Sequence, residues 1–367
     1  MKVLIINTVP TGMNGITNVI FNFLRAIDNT GIQFDLVSIN HPDEYFSCEL
    51  KKLNVSVHVI PRLNNILSYW FSLRNLIRQN QYNAVHIHGN SHTIVMELLA
   101  AKSADCKIRI VHAHTTKCLN IAVHKLLTPL FNILYTHGLS CGEAAGKFMF
   151  GHKNFSIVNN GIDTVKYAFN KECRDHIRVK YKWEGRKVIG HVGYFMAVKN
   201  HSWILEVFRE LVLKDTSYHL VLIGDGELRG YIEDKARNYG LIDHITFMGS
   251  VHNVNEYLNA VDLIIMPSLF EGLPLSLIEQ QANGLRCIVS DAITKEADKT
   301  GNITFLPLSS SSEEWANIIM NETIISDQTR QQFSDKAIQD IIRSGYSIKE
   351  EARKLKNIYI YHNFICN

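Results

Sequence analysis

Short aliphatic segments alternate with helical segments along almost the whole chain, and this alternation restricts the fold more than any other feature. In the first half, non-alternating apolar runs suited to buried parallel strands are separated by stretches with the periodicity of amphipathic helices. The predicted strands are 2–7, 34–39, 55–60, 84–88, 108–111, 138–141 and 156–158. Such alternation is typical of a doubly wound α/β domain with a parallel sheet.

The same pattern begins again after an irregular stretch at 164–185. Here the predicted strands are 187–191, 218–223, 245–248, 261–266, 286–289 and 303–306, and three helices follow them. At 367 residues, the chain is long enough for two domains of ordinary size. The sequence therefore predicts an α/β protein of two Rossmann-like doubly wound domains, with residues 1–165 in the first and 166–346 in the second.

The composition excludes several functional classes. With 46% hydrophobic and 20% charged residues, the chain is expected to be globular rather than disordered, and a net charge of +3 does not indicate nucleic-acid binding. No apolar run approaches the roughly 18 residues that a spanning helix needs. Seven scattered cysteines without a Cys-x-x-Cys pair favour reduced thiols. We therefore expect a cytoplasmic protein whose membrane contact, if any, is peripheral.

One strand–loop–helix unit in the second half carries the strongest functional pattern. After the strand 261–266, Pro274 suits a helix start because its missing N–H costs nothing there, and Gly284 suits the end because it tolerates positive φ. The unpaired amides of such a helix start attract a phosphate group. Glu271 and Glu279 bracket this helix start, and ionised carboxylates accept hydrogen bonds from hydroxyl groups. A ligand made of sugar, diphosphate and ribose fits this pattern.

The sequence Glu271-x7-Glu279, with Gly272-Leu273-Pro274 inside it and Gly284 after it, resembles the family 4 retaining glycosyltransferases, which have the GT-B fold. In that fold two Rossmann-like domains face each other across a cleft. The resemblance implies that Glu271 orients the transferred sugar, that Glu279 binds the ribose and that the segment between them holds the diphosphate. The residues expected at the diphosphate are Gly272, Leu273, Pro274, Leu275 and Ser276.

A second family pattern, Gly-Arg-x4-Lys, is matched in part at the start of the second domain. Gly193 and Lys199 fit it, and the resemblance implies that Lys199 neutralises the diphosphate. Tyr194 stands where the family has arginine. A phenol can donate one hydrogen bond, but it lacks the charge and the bidentate phosphate recognition of a guanidinium. This departure leaves open a catalytically weak, partner-binding homologue.

Three further positions are candidates at strand ends or in turns. A Gly-containing turn after the first strand lets the backbone approach a ligand closely. His114 follows the strand 108–111, and the resemblance implies a histidine near the transferred sugar here, with His112 as the alternative. Val251 lies in a loop that relatives use to hold the nucleotide base. The candidates in the first turn are Gly12, Asn14 and Gly15.

The sequence shows no pattern of a metal site or of another cofactor. It contains no His-x3-His with a supporting acid and no Asp-x-Asp, so positive charge at the diphosphate is expected from Lys199 and the helix N-terminus instead. We therefore expect catalysis by His114, Lys199 and Glu271 without a metal.

The resemblance covers nearly the whole chain and implies retaining transfer from a nucleotide sugar, with a UDP-sugar as the expected donor. The acceptor is expected to be a glycan, lipid-linked, in capsular or exopolysaccharide synthesis. The resemblance further implies donor binding by 166–346, acceptor binding by 1–165, and packing of a C-terminal helix, about 347–367, on the first domain. A nucleotide-sugar 2-epimerase of the same architecture is the enzymatic alternative.

The stretch 122–135 permits two interpretations. Its apolar residues, with Lys117 and Lys125 nearby, suit a helix lying on an anionic membrane. The same periodicity is more typical of a core helix of the first domain.

Overall fold

The computed structural model describes residues 1–62, 65–322 and 325–361. The chain divides into two compact units: the first contains Met1–Gly161 and the C-terminal segment from Ile348 onward, and the second contains Ile162–Ser347. The predicted boundary between residues 165 and 166 lies slightly later in the chain. Each unit is built around its own parallel sheet.

The sheet of the first unit has seven described strands in the order β3-β2-β1-β4-β5-β6-β7, and every pairing is parallel. The chain order reverses between β1 and β4, so the loops that follow these strands diverge there and leave a crevice for a ligand. The strands are β1 Lys2–Asn7, β2 Gln33–Ser38, β3 Ser56–Val59, β4 Ala84–Gly89, β5 Ile108–Ala113, β6 His137–Ser140 and β7 Ser156–Ile157.

The sheet of the second unit repeats this topology with six described strands in the order β10-β9-β8-β11-β12-β13. Its order reverses between β8 and β11. The strands are β8 Lys187–Val192, β9 Tyr218–Ile223, β10 Ile245–Gly249, β11 Leu263–Met266, β12 Arg286–Ser290 and β13 Ile303–Leu306. Because their aliphatic side chains are almost all buried, these strands read in the sequence as continuous apolar runs.

Helices separate the strands in both units. The first unit contains α1 Gly15–Ala26, α2 Glu44–Lys52, α3 Ile66–Asn80, α4 Val95–Ser103, α5 Ile121–Leu134 and α6 Glu143–Phe150. The second contains α7 Lys171–Tyr181, α8 His201–Lys214, α9 Arg229–Asn238, α10 Val254–Ala260, α11 Leu275–Ala282, α12 Ser312–Asn321 and α13 Asp327–Arg343. Helix α2 was not predicted, because only Phe46 and Leu50 are buried within its nine residues. The sequence does contain an N-cap residue for this helix, Asp43, whose side chain accepts a hydrogen bond from the Phe46 amide at 2.9 Å.

The last helix, α14 (Ile348–Tyr361), belongs to the first unit, where it packs against α1. The Tyr359 ring lies 5.8 Å from the ring of Phe34, and Lys356 Nζ lies 2.6 Å from a carboxylate oxygen of Asp28. Residues 362–367, which the predicted helix includes, lie outside the described residues.

The sequence Ser310-x-x-Glu313 predicts a capping box at the start of α12, and this prediction is wrong by one residue. The Ser311 hydroxyl accepts from the Glu314 amide at 3.2 Å, and the Glu314 carboxylate accepts from the Ser311 amide at 2.8 Å. Four consecutive serines, 309–312, offer the same capping group at adjacent positions, so the sequence does not select the register.

Two general expectations concern the thiols and the membrane. The six cysteines within the described ranges are free thiols. No helix within those ranges combines the length and the apolar character needed to cross a bilayer.

Candidate functional site

The loops that follow β8 and β11 bring Lys199 and Glu271 together at the point where the strand order of the second sheet reverses. Lys199 ends a single turn of 3-10 helix, Ala197–Lys199. The two loops are tied by a hydrogen bond of 2.8 Å from the Leu269 amide to the Val198 carbonyl oxygen. This is the position at which open parallel sheets bind ligands.

Lys199 and Glu271 form an ion pair in which Lys199 Nζ lies 2.5 Å from Glu271 Oε1. Their side chains are only 16% and 17% exposed, so water screens the pair less than it screens a surface ion pair. Two residues with separate predicted ligand contacts are thus paired with each other. An anion that reaches Lys199 has to compete with the Glu271 carboxylate.

Helix α11 begins immediately beyond this ion pair. Pro274 occupies the N-cap, with φ −72° and ψ 112°, one position before the first helical residue that the sequence suggested for it. Proline has no side chain that can cap a helix, so the amides of Leu275 and Ser276 face away from the helix without an intrahelical partner. Those amides and the positive end of the helix dipole favour an anion here.

The far end of α11 is fixed by close backbone packing. Gly284 has φ +72°, as the prediction of a glycine stop requires. A Cβ at this position would lie 2.6 Å from the backbone carbonyl oxygen of Arg330, so no larger residue fits without displacing α13. The predicted end of the helix is confirmed.

Glu279 lies in the second turn of α11 and is partly buried. Burial raises the pKa of its carboxyl to about 7, against the opposing effects of a hydrogen bond from Tyr167 and the charge of Lys166. The carboxyl is therefore close to half ionised at neutral pH. A hydroxyl pair that donates to both oxygens would favour the ionised form.

A glycine turn after β9 supports the loop that carries Lys199. Gly224 has φ +144°, and a Cβ there would lie 2.0 Å from the carbonyl oxygen of Gly193. The Phe195 amide donates to the Asp225 carbonyl oxygen at 2.9 Å. The glycine at this turn therefore allows the loop after β9 to contact the loop after β8 closely.

The remaining predicted residues of the second unit lie on the same loops. Tyr194 is 53% exposed, directly after Gly193. A Cβ on Gly193 would approach Lys199 Cδ to 3.3 Å, so glycine at this position leaves room for the lysine side chain. Val251 is partly buried in the loop after β10, which is joined to the glycine turn by a 2.9 Å hydrogen bond from the Gly224 amide to the Gly249 carbonyl oxygen.

In the first unit, the turn after β1 places Asn14 at the N-cap of α1. Its Oδ1 accepts from the Thr17 amide at 3.0 Å, and its Nδ2 donates to the Pro10 carbonyl oxygen at 2.7 Å. Both polar atoms of the Asn14 side chain therefore form hydrogen bonds within the turn. A Cβ on Gly12 or Gly15 would meet no atom within 4 Å, so the space beside both glycines is open. That a ligand uses this space stays a prediction.

His114 belongs to a group of four histidines, here called the histidine cluster. His86 and His88 lie on one face of β4, and His112 and His114 lie on the same face at the end of β5, with His88 and His112 as register partners. His114 Nε2 lies 2.8 Å from His88 Nδ1, and the two rings stack with centroids 5.0 Å apart. The sequence analysis named His112 and His114 as candidates and did not name His86 and His88. The signal was a His-x-His on each of two neighbouring strands.

Burial keeps the histidine cluster neutral. It lowers the pKa of His86 to about 3 and that of His114 to about 4, and it lowers the pKa values of His88 and His112 well below their ordinary range. These groups therefore act at neutral pH as hydrogen-bond donors and acceptors without charge.

The histidine cluster also has the composition of a metal site. One ring nitrogen from each of His86, His88 and His112 lies within 4.8 Å of the others, and neutral imidazole is a common ligand of zinc and other transition metals. The search for His-x3-His could not detect this arrangement, because its ligands come from two strands. The expectation of a metal-free enzyme stays a prediction.

The two sheets and their strand orders define the GT-B class of glycosyltransferase folds. The chain is similar to Alr3699/HepE of Anabaena in complex with UDP, with a TM-score of 0.77 and 16% identity over 97% of this chain and 99% of that one. It is also similar to WaaG, a glycosyltransferase involved in lipopolysaccharide biosynthesis, with a TM-score of 0.72 and 13% identity over 98% and 99%. The predicted GT-B fold is confirmed.

The chain belongs to the family 4 (group 1) glycosyltransferases. Residues 13–166 match the model "Glycosyltransferase Family 4" and residues 186–321 match "Glycosyl transferases group 1". The putative glycosyltransferase EpsF of Bacillus subtilis (strain 168) is 32% identical over 96% of this chain and 95% of its own length. The capsular polysaccharide biosynthesis glycosyltransferase CapH of Staphylococcus aureus is 25% identical over 89% and 93%. The family assignment favours sugar transfer over the epimerase alternative.

Proposed function

We propose that this glycosyltransferase moves a sugar from a UDP-sugar to a lipid-linked glycan with retention of anomeric configuration, in capsular or exopolysaccharide synthesis. The observation that carries the proposal is the pairing of Lys199 with Glu271 beside the uncapped N-terminus of α11. In this proposal, the second unit binds the donor and the first binds the acceptor.

The proposed chemistry is electrostatic. Negative charge grows on the diphosphate as the glycosidic bond breaks, and Lys199 with the amides of Leu275 and Ser276 would stabilise it. Glu271 would then accept hydrogen bonds from the sugar, and Glu279 from the ribose. The leaving phosphate would take the acceptor's proton on the same face. No step requires a metal, because the lysine and the helix end provide the positive charge.

Relatives support the choice of donor and acceptor. Alr3699/HepE binds UDP, and a further structure of it contains UDP-glucose. A relative from Escherichia coli, 26% identical over 79% of this chain and 78% of its own length, is named UDP-Gal:alpha-D-GlcNAc-diphosphoundecaprenol alpha-1,3-galactosyltransferase. A uridine diphosphate donor and an acceptor on a lipid diphosphate are therefore the first substrates to test.

The surface of the first unit supports peripheral contact with the cytoplasmic face of the membrane. Helix α5 buries Phe131 and Leu134, as the core interpretation requires, but it leaves Leu126 78% and Ile133 66% exposed. Lys125 lies exposed beside Leu126. Exposed apolar side chains next to a cation are the combination that binds an anionic lipid surface. In this proposal, the face of α5 with Phe131 and Leu134 belongs to the core, and the opposite face with Leu126 and Ile133 contacts the membrane.

Calorimetric titration with UDP tests the donor site. We expect Lys199→Met to weaken UDP binding at least tenfold, because a charged hydrogen bond contributes about 1.5–3 kcal/mol. Lys336→Met, on the exposed face of α13, is the matched control and should bind UDP as the wild type does. Equal UDP affinities for the wild type and Lys199→Met would contradict the proposed site.

A transfer assay tests the reaction itself. Radiolabelled UDP-sugars are offered with a diphosphoundecaprenol-linked acceptor in the presence of a chelator, and the anomeric configuration of the product is read by NMR. We expect a labelled lipid with the donor's configuration. Inversion would contradict retention, loss of activity in chelator would contradict metal independence, and an epimerised free nucleotide sugar would restore the epimerase alternative.

A further inference from the structure

His191 lies at the point where β8 and β11 separate. The register of the two strands ends with the partners Gly190 and Ile264. The Ile265 carbonyl oxygen, one residue further along β11, lies 2.8 Å from His191 Nδ1. A carbonyl oxygen can only accept a hydrogen bond, so Nδ1 must be the donor. The imidazole is thereby fixed across the crevice at which open parallel sheets bind ligands.

The other ring nitrogen of His191 carries a lone pair. The side chain is completely buried. Burial, together with the charge of Lys199, lowers the pKa of the ring to about 4, although the hydrogen bond to Ile265 acts in the opposite direction. A neutral imidazole has one N–H, and the contact with the carbonyl oxygen places it on Nδ1. Nε2 is therefore a hydrogen-bond acceptor.

This acceptor is unpaired. Within the described parts of the chain, His191 Nε2 is a buried atom without a hydrogen-bond partner. A buried polar atom that stays unpaired costs free energy, so most such atoms in folded proteins have a partner. A donor that reaches Nε2 when a ligand binds would recover this free energy.

The side chain of Lys199 lies beside the unpaired acceptor. A Cβ on Gly193 would lie 2.9 Å from His191 Nε2 and 3.3 Å from Lys199 Cδ, so the two side chains flank the same small space. The Lys199 ammonium has three N–H donors, and Glu271 Oε1 lies 2.5 Å from its nitrogen. The flexible end of the lysine side chain can turn toward Nε2, because Gly193 has no side chain that would block it.

We propose that His191 is a positioning residue, which accepts one N–H of Lys199 at Nε2 when a diphosphate separates Lys199 from Glu271. The other N–H groups of the ammonium then point to the diphosphate, while Glu271 turns to the sugar. This inference rests on the proposed function, and it adds the residue that holds Lys199 in its ligand-bound position. It also explains the glycine at position 193, since a larger residue would come between the two side chains.

An uncharged acceptor suits this role better than a carboxylate does. A second carboxylate beside Lys199 would compete with the diphosphate for the ammonium and would repel the phosphate charges. A neutral imidazole orients the ammonium without cancelling its charge. The positive charge of Lys199 thus stays available to the phosphate oxygens as the glycosidic bond breaks.

Calorimetric titration with UDP tests this contact. In His191→Asn, the amide nitrogen lies near the position of Nδ1 and keeps the donor to Ile265, but nothing occupies the position of Nε2. We expect about tenfold weaker UDP binding, because Lys199 loses its acceptor. His219→Asn changes another buried histidine, near the amino end of β9, and is the matched control with the UDP affinity of the wild type. Equal affinities of His191→Asn and the wild type would overturn the proposal and leave the proposed function intact.

The same substitution is then made in Lys199→Met. Because His191 acts through Lys199, His191→Asn should not weaken UDP binding further in this background. A second tenfold loss would overturn the proposal, since His191 would then act by a route that does not involve the lysine. If Lys199→Met alone binds UDP as the wild type does, the proposed donor site fails and the inference is overturned with it.

¹⁵N NMR of the histidine-labelled wild type gives a readout that does not depend on the stability of a His191 variant. We expect a protonated Nδ1 and an unprotonated Nε2 in the free protein. Addition of UDP should shift the Nε2 signal to lower frequency, as its lone pair accepts a hydrogen bond, and this shift should be absent in Lys199→Met. A protonated Nε2 in the free protein, or an Nε2 signal that bound UDP does not change, would overturn the inference even if sugar transfer is confirmed.

Discussion

Replacing Glu279 with glutamine should make the free protein more stable and its binding of UDP weaker. The carboxyl has a pKa of about 7 in the folded chain, against an ordinary value of 4.5, because burial disfavours its charge. The folded state thus keeps a proton up to about pH 7, whereas the unfolded chain releases it near pH 4.5. Stability therefore falls as pH rises from 4.5 to 7 and is then constant with respect to this group.

The size of the effect follows from the two pKa values. At about 1.4 kcal/mol for each pKa unit, the difference between 4.5 and 7 corresponds to about 3 kcal/mol. Glutamine has a similar shape and does not ionise. We therefore expect Glu279→Gln to exceed the wild type in unfolding free energy by up to about 3 kcal/mol at pH 8, and to match it at pH 4.5.

Urea denaturation at pH 4.5, 6 and 8 measures this difference. Glu172→Gln, which changes an exposed glutamate in the first turn of α7, is the control and should show a small effect that does not follow the same pH dependence. A stability difference for Glu279→Gln that is the same at all three pH values would refute the argument, because it would show that ionisation is not the cause.

UDP binding should change in the opposite direction. The ionised carboxylate can accept a charge-assisted hydrogen bond from each of two ribose hydroxyls, whereas glutamine offers one neutral acceptor oxygen and an amide group that can only donate to a hydroxyl oxygen. We expect about tenfold weaker binding of UDP at pH 8 by Glu279→Gln. A variant that is more stable and binds UDP equally well would remove Glu279 from the proposed ribose site while leaving its burial explained.

Three further predictions concern the loops and the surface. Tyr194→Arg should tighten UDP binding about tenfold in calorimetry by supplying the guanidinium that the family pattern has, and an unchanged affinity would count against a diphosphate beside this residue. Gly224→Ala should lower the unfolding free energy by about 3 kcal/mol in urea denaturation, because residue 224 has φ +144° and the added Cβ would lie 2.0 Å from the carbonyl oxygen of Gly193; a loss below about 1 kcal/mol would show that the turn relaxes. Leu126→Glu with Ile133→Glu should reduce sedimentation with anionic vesicles at least tenfold, whereas Val179→Glu, an exposed apolar position of the second unit, should not; equal sedimentation of all variants would reject the membrane surface.

The strands were predictable because a parallel strand that is buried on both faces consists almost entirely of apolar residues. The predicted segments 2–7, 218–223 and 303–306 coincide with β1, β9 and β13, since continuous aliphatic runs of that length suit few other structures. Helix α2 was missed because its interior contacts are too few to produce a periodic pattern. The sequence thus predicts buried strands more reliably than an exposed helix whose main local feature is its N-cap.

The candidate site was predictable only where one local segment carries it. The start of α11 follows from Pro274 and its end from Gly284, because each residue restricts or permits the conformation of its own backbone. The pairing of Lys199 with Glu271 could not be predicted, because it depends on two loops that meet only when β8 and β11 become neighbours in the sheet.

The histidine cluster is the clearest case of this limit. Each His-x-His, at 86–88 and at 112–114, is in isolation an ordinary strand segment with two side chains on one face. The cluster arises from the register in which His88 faces His112, because that register brings His88 Nδ1 and His114 Nε2 to within 2.8 Å of each other. A shift of one residue would turn one pair to the opposite face and remove the contact. The histidine cluster is therefore a property of the register between two strands, which neither strand reveals by itself.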